Sequence, residues 1–272
     1  MITSTFIHAS GIGAVTESAI WSQGVCDWAD YLRRADEISL PARHKATLAG
    51  TLEQSIAALD SSDAMFFARS LHHRDHWRSL TSFPKIGYLD IETDGGSLGD
   101  SITMIGLYDG HETRLYTKDK DLPRFAFECQ EFDCFVTFFG GGFDIPMLKR
   151  RFPVLERVFA DRFHVDLCPM LKSLGLSGGL KSIERQLKIN RRPETDGLSG
   201  MDAVRLWRAF RSGGRGADDA FRLLCLYNEE DVVNMRALLE YALPRLHKLS
   251  GMPCEAPKLV HWPVLAELGQ LD

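Results

Sequence analysis

Three short runs rich in β-branched and aromatic residues follow one another in mid-chain: IGYLDIE from Ile86, SITMIGLYD from Ser101 and HETRLYT from His111, with Gly, Asp and Ser between them. Their length and spacing predict an antiparallel meander. The chain then alternates. DLPRFAFECQEF from Asp121 reads as helix and FVTFF from Phe135 as a fully buried fourth strand. FDIPMLKRRF from Phe143 reads as a helix opened by the turn Gly140, Gly141, Gly142, and HVDL from His164 as a fifth short strand. GLKSIERQL, SGMDAVRLWRAF and a long stretch from Asp218 to Leu246 are helical in pattern. The expected fold class is α/β, a mixed five-stranded sheet flanked by helices.

The residues before Pro84 have a different character. FIHASGIGAVTESAIW reads as a tight Gly-Ile-Gly turn feeding a helix, VCDWADYL as a second helix capped by Asp27, and LEQSIAALDSSDAMFFARSLHHRDHWRSL as a further helical stretch. The expected organisation is a helical module over 1–80, a sheet domain over 84–246 and a tail over 247–272. Hydrophobic residues at 44% and charged residues at 25% exclude a disordered chain, a collagen and a coiled-coil rod. No apolar run reaches the ~18 to 20 residues of a membrane helix, and MITSTFIHASG lacks the basic start and apolar stretch of a signal peptide. The expected location is cytoplasmic. Six cysteines without a CxxC pair give no reason to expect zinc or disulfides. The formal net charge is -5, yet Gly179 to Arg215 holds nine basic and four acidic residues, so this segment is +5 and the remainder -10.

Asp90 and Glu92 are i and i+2 on the first strand, so their carboxylates share a face. Taken alone, such a pair at a strand end is solvated. Asp144 opens the helix after the fourth strand, which is expected beside the first. Tyr227 and Asp231, at i and i+4, share one face of a helix that Leu223, Leu224, Val232 and Val233 tie to the core. Buried unpaired carboxylates are costly, so the set predicts a metal site, and all-oxygen ligands select Mg2+ or Mn2+ over zinc.

In this order and spacing, YLDIET, GGGFDIPML and YNEEDVVNM resemble the three motifs of the ribonuclease H-like 3'-5' exonucleases, the DEDD group in its tyrosine subtype, over roughly Ile86 to Tyr241. HVDL, GLKSIERQL and GMDAVRLW further resemble a bacterial branch of predicted exonucleases. The resemblance implies a metal-dependent 3'-5' exonuclease in which Asp90, Glu92, Asp144 and Asp231 hold two Mg2+ or Mn2+ ions. Asp90 would be shared by both, Glu92 and Asp231 would complete the nucleophile-side ion, and Asp144 would hold the other. Tyr227 would orient the attacking water rather than deprotonate it.

By the same resemblance the partner is nucleic acid, with Thr93, Phe143, Lys181 and Arg185 on the substrate. Phe139, Phe143 and Trp207 are candidates for base stacking. His164 and Asp166 are candidates for further site residues, with a structural role as the alternative. One position departs from the pattern: Phe139 stands where the family usually carries Asn. The amino-terminal segment resembles a helix-hairpin-helix element, in which the amides at Gly11 and Gly13 receive a phosphate. The basic residue usual after the hairpin is replaced by Ala14 and Val15. Such elements mostly accompany DNA enzymes, which implies DNA rather than RNA. The alternatives are a noncatalytic nucleic-acid-binding protein on a degenerate fold, an exoribonuclease and a small-nucleotide phosphodiesterase.

Overall fold

The computed structural model describes residues 1–269, so residues 270–272 of the expected tail lie outside the described residues. Helices α1 (Ala14–Trp21), α2 (Trp28–Arg34), α3 (Ala42–Asp60) and α4 (Ala64–Ser70) come first, followed by a 3-10 turn over His73–Ser79. The meander is β1 (Ile86–Thr93), β2 (Ile102–Tyr108) and β3 (Thr113–Thr117). Then come α5 (Phe125–Glu128), β4 (Cys134–Thr137), α6 (Asp144–Arg151), α7 (Leu155–Ala160) and β5 (Phe163–Asp166). The remainder is helical: α8 (Leu167–Ser173), α9 (Leu180–Gln186), α10 (Gly200–Ser212), α11 (Ala217–Ser250) and α12 (Val264–Leu268). No described helix is long and apolar enough to cross a membrane.

The sheet is mixed, in the order β3-β2-β1-β4-β5. Strand β1 is central, antiparallel to β2 and parallel to β4. Because side chains alternate, β1 serves two cores. Leu89 and Ile91 join Ile105, Leu107 and Phe135 against Phe125, Met147, Leu148 and Leu155 of the helices on one side. The other face, carrying Asp90 and Glu92, receives α10 and α11. Asp90 lies opposite Gly106 in the β1–β2 register, and the ladder shifts between Glu92 and Thr93. Gly106 lets α11 approach closely: a Cβ there would meet Asn228 Oδ1 at 2.1 Å.

The amino-terminal helices bury their apolar faces on the same face of the sheet as α11. Ile20, Trp28, Leu48, Leu52 and Phe67 form one continuous cluster with Ile86, Val136, Phe163 and Leu239. Asp27 caps α2 as the sequence predicts, accepting from the Asp30 amide at 2.8 Å. Glu17 is buried and pairs with buried Arg78 at 2.9 Å while accepting from the Phe6 amide at 2.7 Å. The hairpin-like segment has the expected turn and α1, but only a three-residue 3-10 helix, Ile2–Ser4, precedes it. The carboxy-terminal segment packs as well. His261 Nε2 meets the buried Tyr88 hydroxyl at 2.8 Å, and the Leu265 amide donates to Asp109 Oδ2 at 2.8 Å.

Candidate active site

At the carboxy-terminal ends of β1 and β4 a cavity of about 430 Å³ opens, lined by Asp90, Glu92, Asp144, Tyr227 and Asp231 among others. One carboxylate oxygen each from Asp90, Glu92 and Asp231 lies within 4.8 Å of the others. The sheet supplies the first two through its two-residue period. Helix α11 supplies Asp231, with Tyr227 one turn earlier. Asp144 closes the cavity from the β4 side, at the first position of α6, and its Oδ1 accepts from the Ile91 amide at 3.0 Å. That bond ties α6 to the strand bearing the first two acids.

Two cations reach this cluster. Arg191, buried in the loop after α9, grips Glu184 with Nε and Nη2, both at 2.7 Å, and holds Asp231 Oδ1 through Nη2 at 2.5 Å. Lys181 donates to the Tyr227 hydroxyl. Asn228 Nδ2 donates to Asp90 Oδ2 at 2.8 Å, which fixes one carboxylate oxygen. Even so, the acids outnumber the cations. Burial, then the charge of Asp144, pushes the Asp90 carboxyl well above the usual carboxylate range. Burial, then Asp231, does the same to Glu92. Burial raises Asp144 to about 7 although two backbone amides oppose it. Asp231 is raised by burial, with Arg191 opposing. Tyr227 is driven far up by burial and by Asp231, so its hydroxyl keeps its proton at neutral pH. Burial lowers Lys181. Partly uncompensated carboxylate oxygens converging on one cavity are a donor set suited to a hard divalent cation such as Mg2+ or Mn2+.

Thr93 and Phe143 line the same cavity, together with Phe139, Met201 and Val204. Lys181 stands behind Tyr227. Arg185 does not reach the cavity: it is exposed on α9 and borders a separate hollow with Glu184 and Arg191. Gly11 and Gly13 are exposed at the start of α1 and line none of the cavities around the carboxylates. Trp207 is not available to a base. It is 4% exposed and packs with Met104, Ala203 and Leu224, because its spacing on α10 puts it on the face turned to the sheet.

The basic segment is also less free than its composition suggests. Arg192 pairs with Glu229 at 3.0 Å, Arg205 with Asp202 at 2.8 Å and Arg211 with Asp119 at 2.8 Å, while Arg208 donates to the Asp94 carbonyl at 3.2 Å. Arg185, Lys188 and Arg215 are left without a protein partner among the described residues. His164 and Asp166 serve the scaffold. His164 Nε2 meets the Thr137 hydroxyl at 2.8 Å, and Asp166 accepts from the amides of Phe139 at 2.8 Å, Gly141 at 3.2 Å and Cys168 at 3.0 Å.

Sequence reasoning missed Asn228, Glu184 and the role of Arg191. Asn228 had a local signal, since it directly follows Tyr227. Arg191 had none: its partners Glu184 and Asp231 lie 7 and 40 residues away.

A family model of the RNase H superfamily matches residues 87–243. Among solved structures, the family B DNA polymerase from the hyperthermophilic archaeon Pyrobaculum calidifontis is similar over 61% of this chain and 25% of that chain, with 18% identity and a TM-score of 0.48. The chain thus spans about a quarter of that polymerase's length. No curated protein matches.

Proposed function

Because this chain belongs to the RNase H superfamily, we propose that it is a metal-dependent nuclease that removes nucleotides from the 3' end of a nucleic acid, by the DEDD chemistry of the tyrosine subtype and with DNA as the polymer. The observation that carries the reading is the convergence of Asp90, Glu92 and Asp231 within 4.8 Å, with Asp144 and Tyr227 on the same cavity. Mg2+ or Mn2+ would be held by Asp90, Glu92 and Asp231, with Asp144 opposite, and when bound would acidify a water and neutralise phosphate charge.

The chain's own groups do the rest. Tyr227 accepts from Lys181, so its own proton is left to be donated. With its pKa driven upward, it acts as a hydrogen-bond donor that holds a water or phosphate oxygen, not as a base. Asn228 and Arg191 each occupy one carboxylate oxygen, leaving the second oxygens of Asp90 and Asp231 without a hydrogen-bond donor among the described residues. Phe139 and Phe143, 59% and 40% exposed, offer aromatic faces beside Asp144 on which unpaired bases can stack.

The test is incubation of 5'-labelled single-stranded DNA and RNA oligonucleotides with Mn2+ or with EDTA. The reading expects a ladder shortening one residue at a time from the 3' end of DNA, in Mn2+ only. Internal cuts, shortening from the 5' end, or equal turnover in EDTA would contradict it. A preference for RNA would overturn the choice of polymer and leave the chemistry standing.

A further inference from the structure

Phe139 lies in the left-handed region, φ 63°, a conformation that is a genuine outlier for a bulky side chain. It is also 59% exposed, so no core packing explains its choice. Asp166 holds it there: its two carboxylate oxygens accept from the amides of Phe139, at 2.8 Å, and Gly141, at 3.2 Å. The outer end of the ring abuts Gly142, where a Cβ would meet Phe139 Cζ at 2.8 Å. Backbone strain kept by dedicated hydrogen bonds is a feature of functional loops. The result is a rigid aromatic wall, and it borders two cavities at once.

On one side of the wall is the carboxylate cavity. On the other is a groove of about 780 Å³, within the ~300 to 1,000 Å³ typical of ligand sites. Its far wall is the turn with His73, Arg74 and Trp77, and its floor is α8 with Lys172. The turn lies before the segment matched to the RNase H superfamily, 87–243. The groove's acids are already engaged: Asp75 pairs with Arg78 at 3.4 Å, and Asp166 is occupied by three backbone amides. Its cations are freer, the Arg74 side chain donating, among the described residues, only to the neighbouring His72 ring at 3.1 Å. Arg74 and Lys172 are exposed, and neither has a carboxylate partner among the described residues. With its acids turned to protein donors and its two cations exposed, the groove offers Arg74 and Lys172 as donors suited to a phosphate.

We propose that Phe139 divides a single-stranded substrate between two subsites, the carboxylate cavity receiving the terminal nucleotide and the Arg74–Lys172 groove receiving the nucleotide before it, base against Phe139 and phosphate against the two cations. The proposal rests on the nuclease reading and narrows its substrate to an unpaired polymer rather than a dinucleotide. A paired base has no free face for Phe139, so duplex ends must fray to enter.

Binding of a 5'-fluorescein single-stranded DNA 12-mer in EDTA, where nothing is cut, tests the groove by anisotropy on the full chain. The double variant Arg74→Glu/Lys172→Glu should bind at least tenfold more weakly and lose ~0.7 from the log-log salt slope, the contribution of the one phosphate that both cations hold. Phe139→Ala should weaken binding about tenfold, as loss of one base–aromatic stack does. Lys172→Arg should stay within twofold of wild type, and so should Arg43→Glu on the exposed start of α3. Wild type should bind a blunt duplex at least tenfold more weakly than the single strand. Wild-type affinity and salt slope in the double variant, or equal binding of duplex and single strand, would overturn the proposal. Cleavage by wild type in Mn2+ is followed in parallel. Cleavage accompanied by unchanged binding in the variants removes the groove and keeps the nuclease, whereas a wild type that cleaves nothing removes the nuclease reading and leaves the binding arm to decide the groove.

Discussion

Replacing Asp144 by Asn should stabilise the metal-free protein at neutral and alkaline pH while abolishing catalysis. Asp144 is 4% exposed, and burial raises its carboxyl from the reference 3.8 to about 7. Below pH ~4 the side chain is neutral in both folded and unfolded chains and the substitution changes little. Between pH ~4 and 7 the unfolded chain ionises while the folded one does not, so wild-type stability falls as pH rises, by ~1.4 kcal/mol per unit. Above pH 7 the loss has reached its full size, ~4 kcal/mol. Asn cannot ionise, and its Oδ1 can still accept from the Ile91 amide that Asp144 engages at 3.0 Å. Urea unfolding after EDTA treatment should therefore give equal stabilities at pH 4 and a gap of ~4 kcal/mol in favour of Asp144→Asn at pH 8, on the order of 10 °C in Tm. Mn2+ at a hundred times its Kd should return ~2.7 kcal/mol to wild type and less to the variant. Parallel stability–pH curves for the two proteins in EDTA would refute the reasoning, because they would mean Asp144 bears no burial cost.

Tyr227→Phe should lower turnover by ~10²-fold with little change in substrate affinity; wild-type turnover in that variant would exclude the hydroxyl from the chemistry. Glu17→Gln removes the closer of two charge partners from Arg78, whose side chain is 6% exposed, leaving Asp75 at 3.4 Å, and should cost ~1 to 3 kcal/mol in urea unfolding. A loss below ~1 kcal/mol would mean the pair is replaceable. A chain beginning at Thr81 would bare Val136, Phe163 and Leu239, which Phe67 and its neighbours cover; it should lack a cooperative thermal transition by circular dichroism, and a sharp transition would show that the sheet folds without its amino-terminal helices.

What was legible in the sequence depended on range. The strands were legible because a half-buried or buried strand needs β-branched and aromatic residues in runs, and Ile86 to Thr117 has three. The acids were legible because Asp90 and Glu92, and Tyr227 and Asp231, fall on the periods of a strand and a helix. Contacts between distant segments left no such trace. Arg191 looked like one more surface cation until the loop after α9 folded it onto Asp231. Trp207 looked like a stacking platform, although its place on α10 commits it to the core. The carboxy-terminal segment has no periodicity of its own, and its order comes from partners such as Tyr88 and Asp109, more than 150 residues earlier.

The central claim is that the carboxylates of β1 and α11 form a divalent-cation site. Calorimetric titration of Mn2+ into wild type and Asp90→Asn tests it most directly, since the substitution keeps the side chain's size and removes one charge from the oxygens that lie within 4.8 Å. The expected result is binding by wild type and at least a tenfold loss of affinity in Asp90→Asn. Equal affinity and stoichiometry in the two proteins would contradict it.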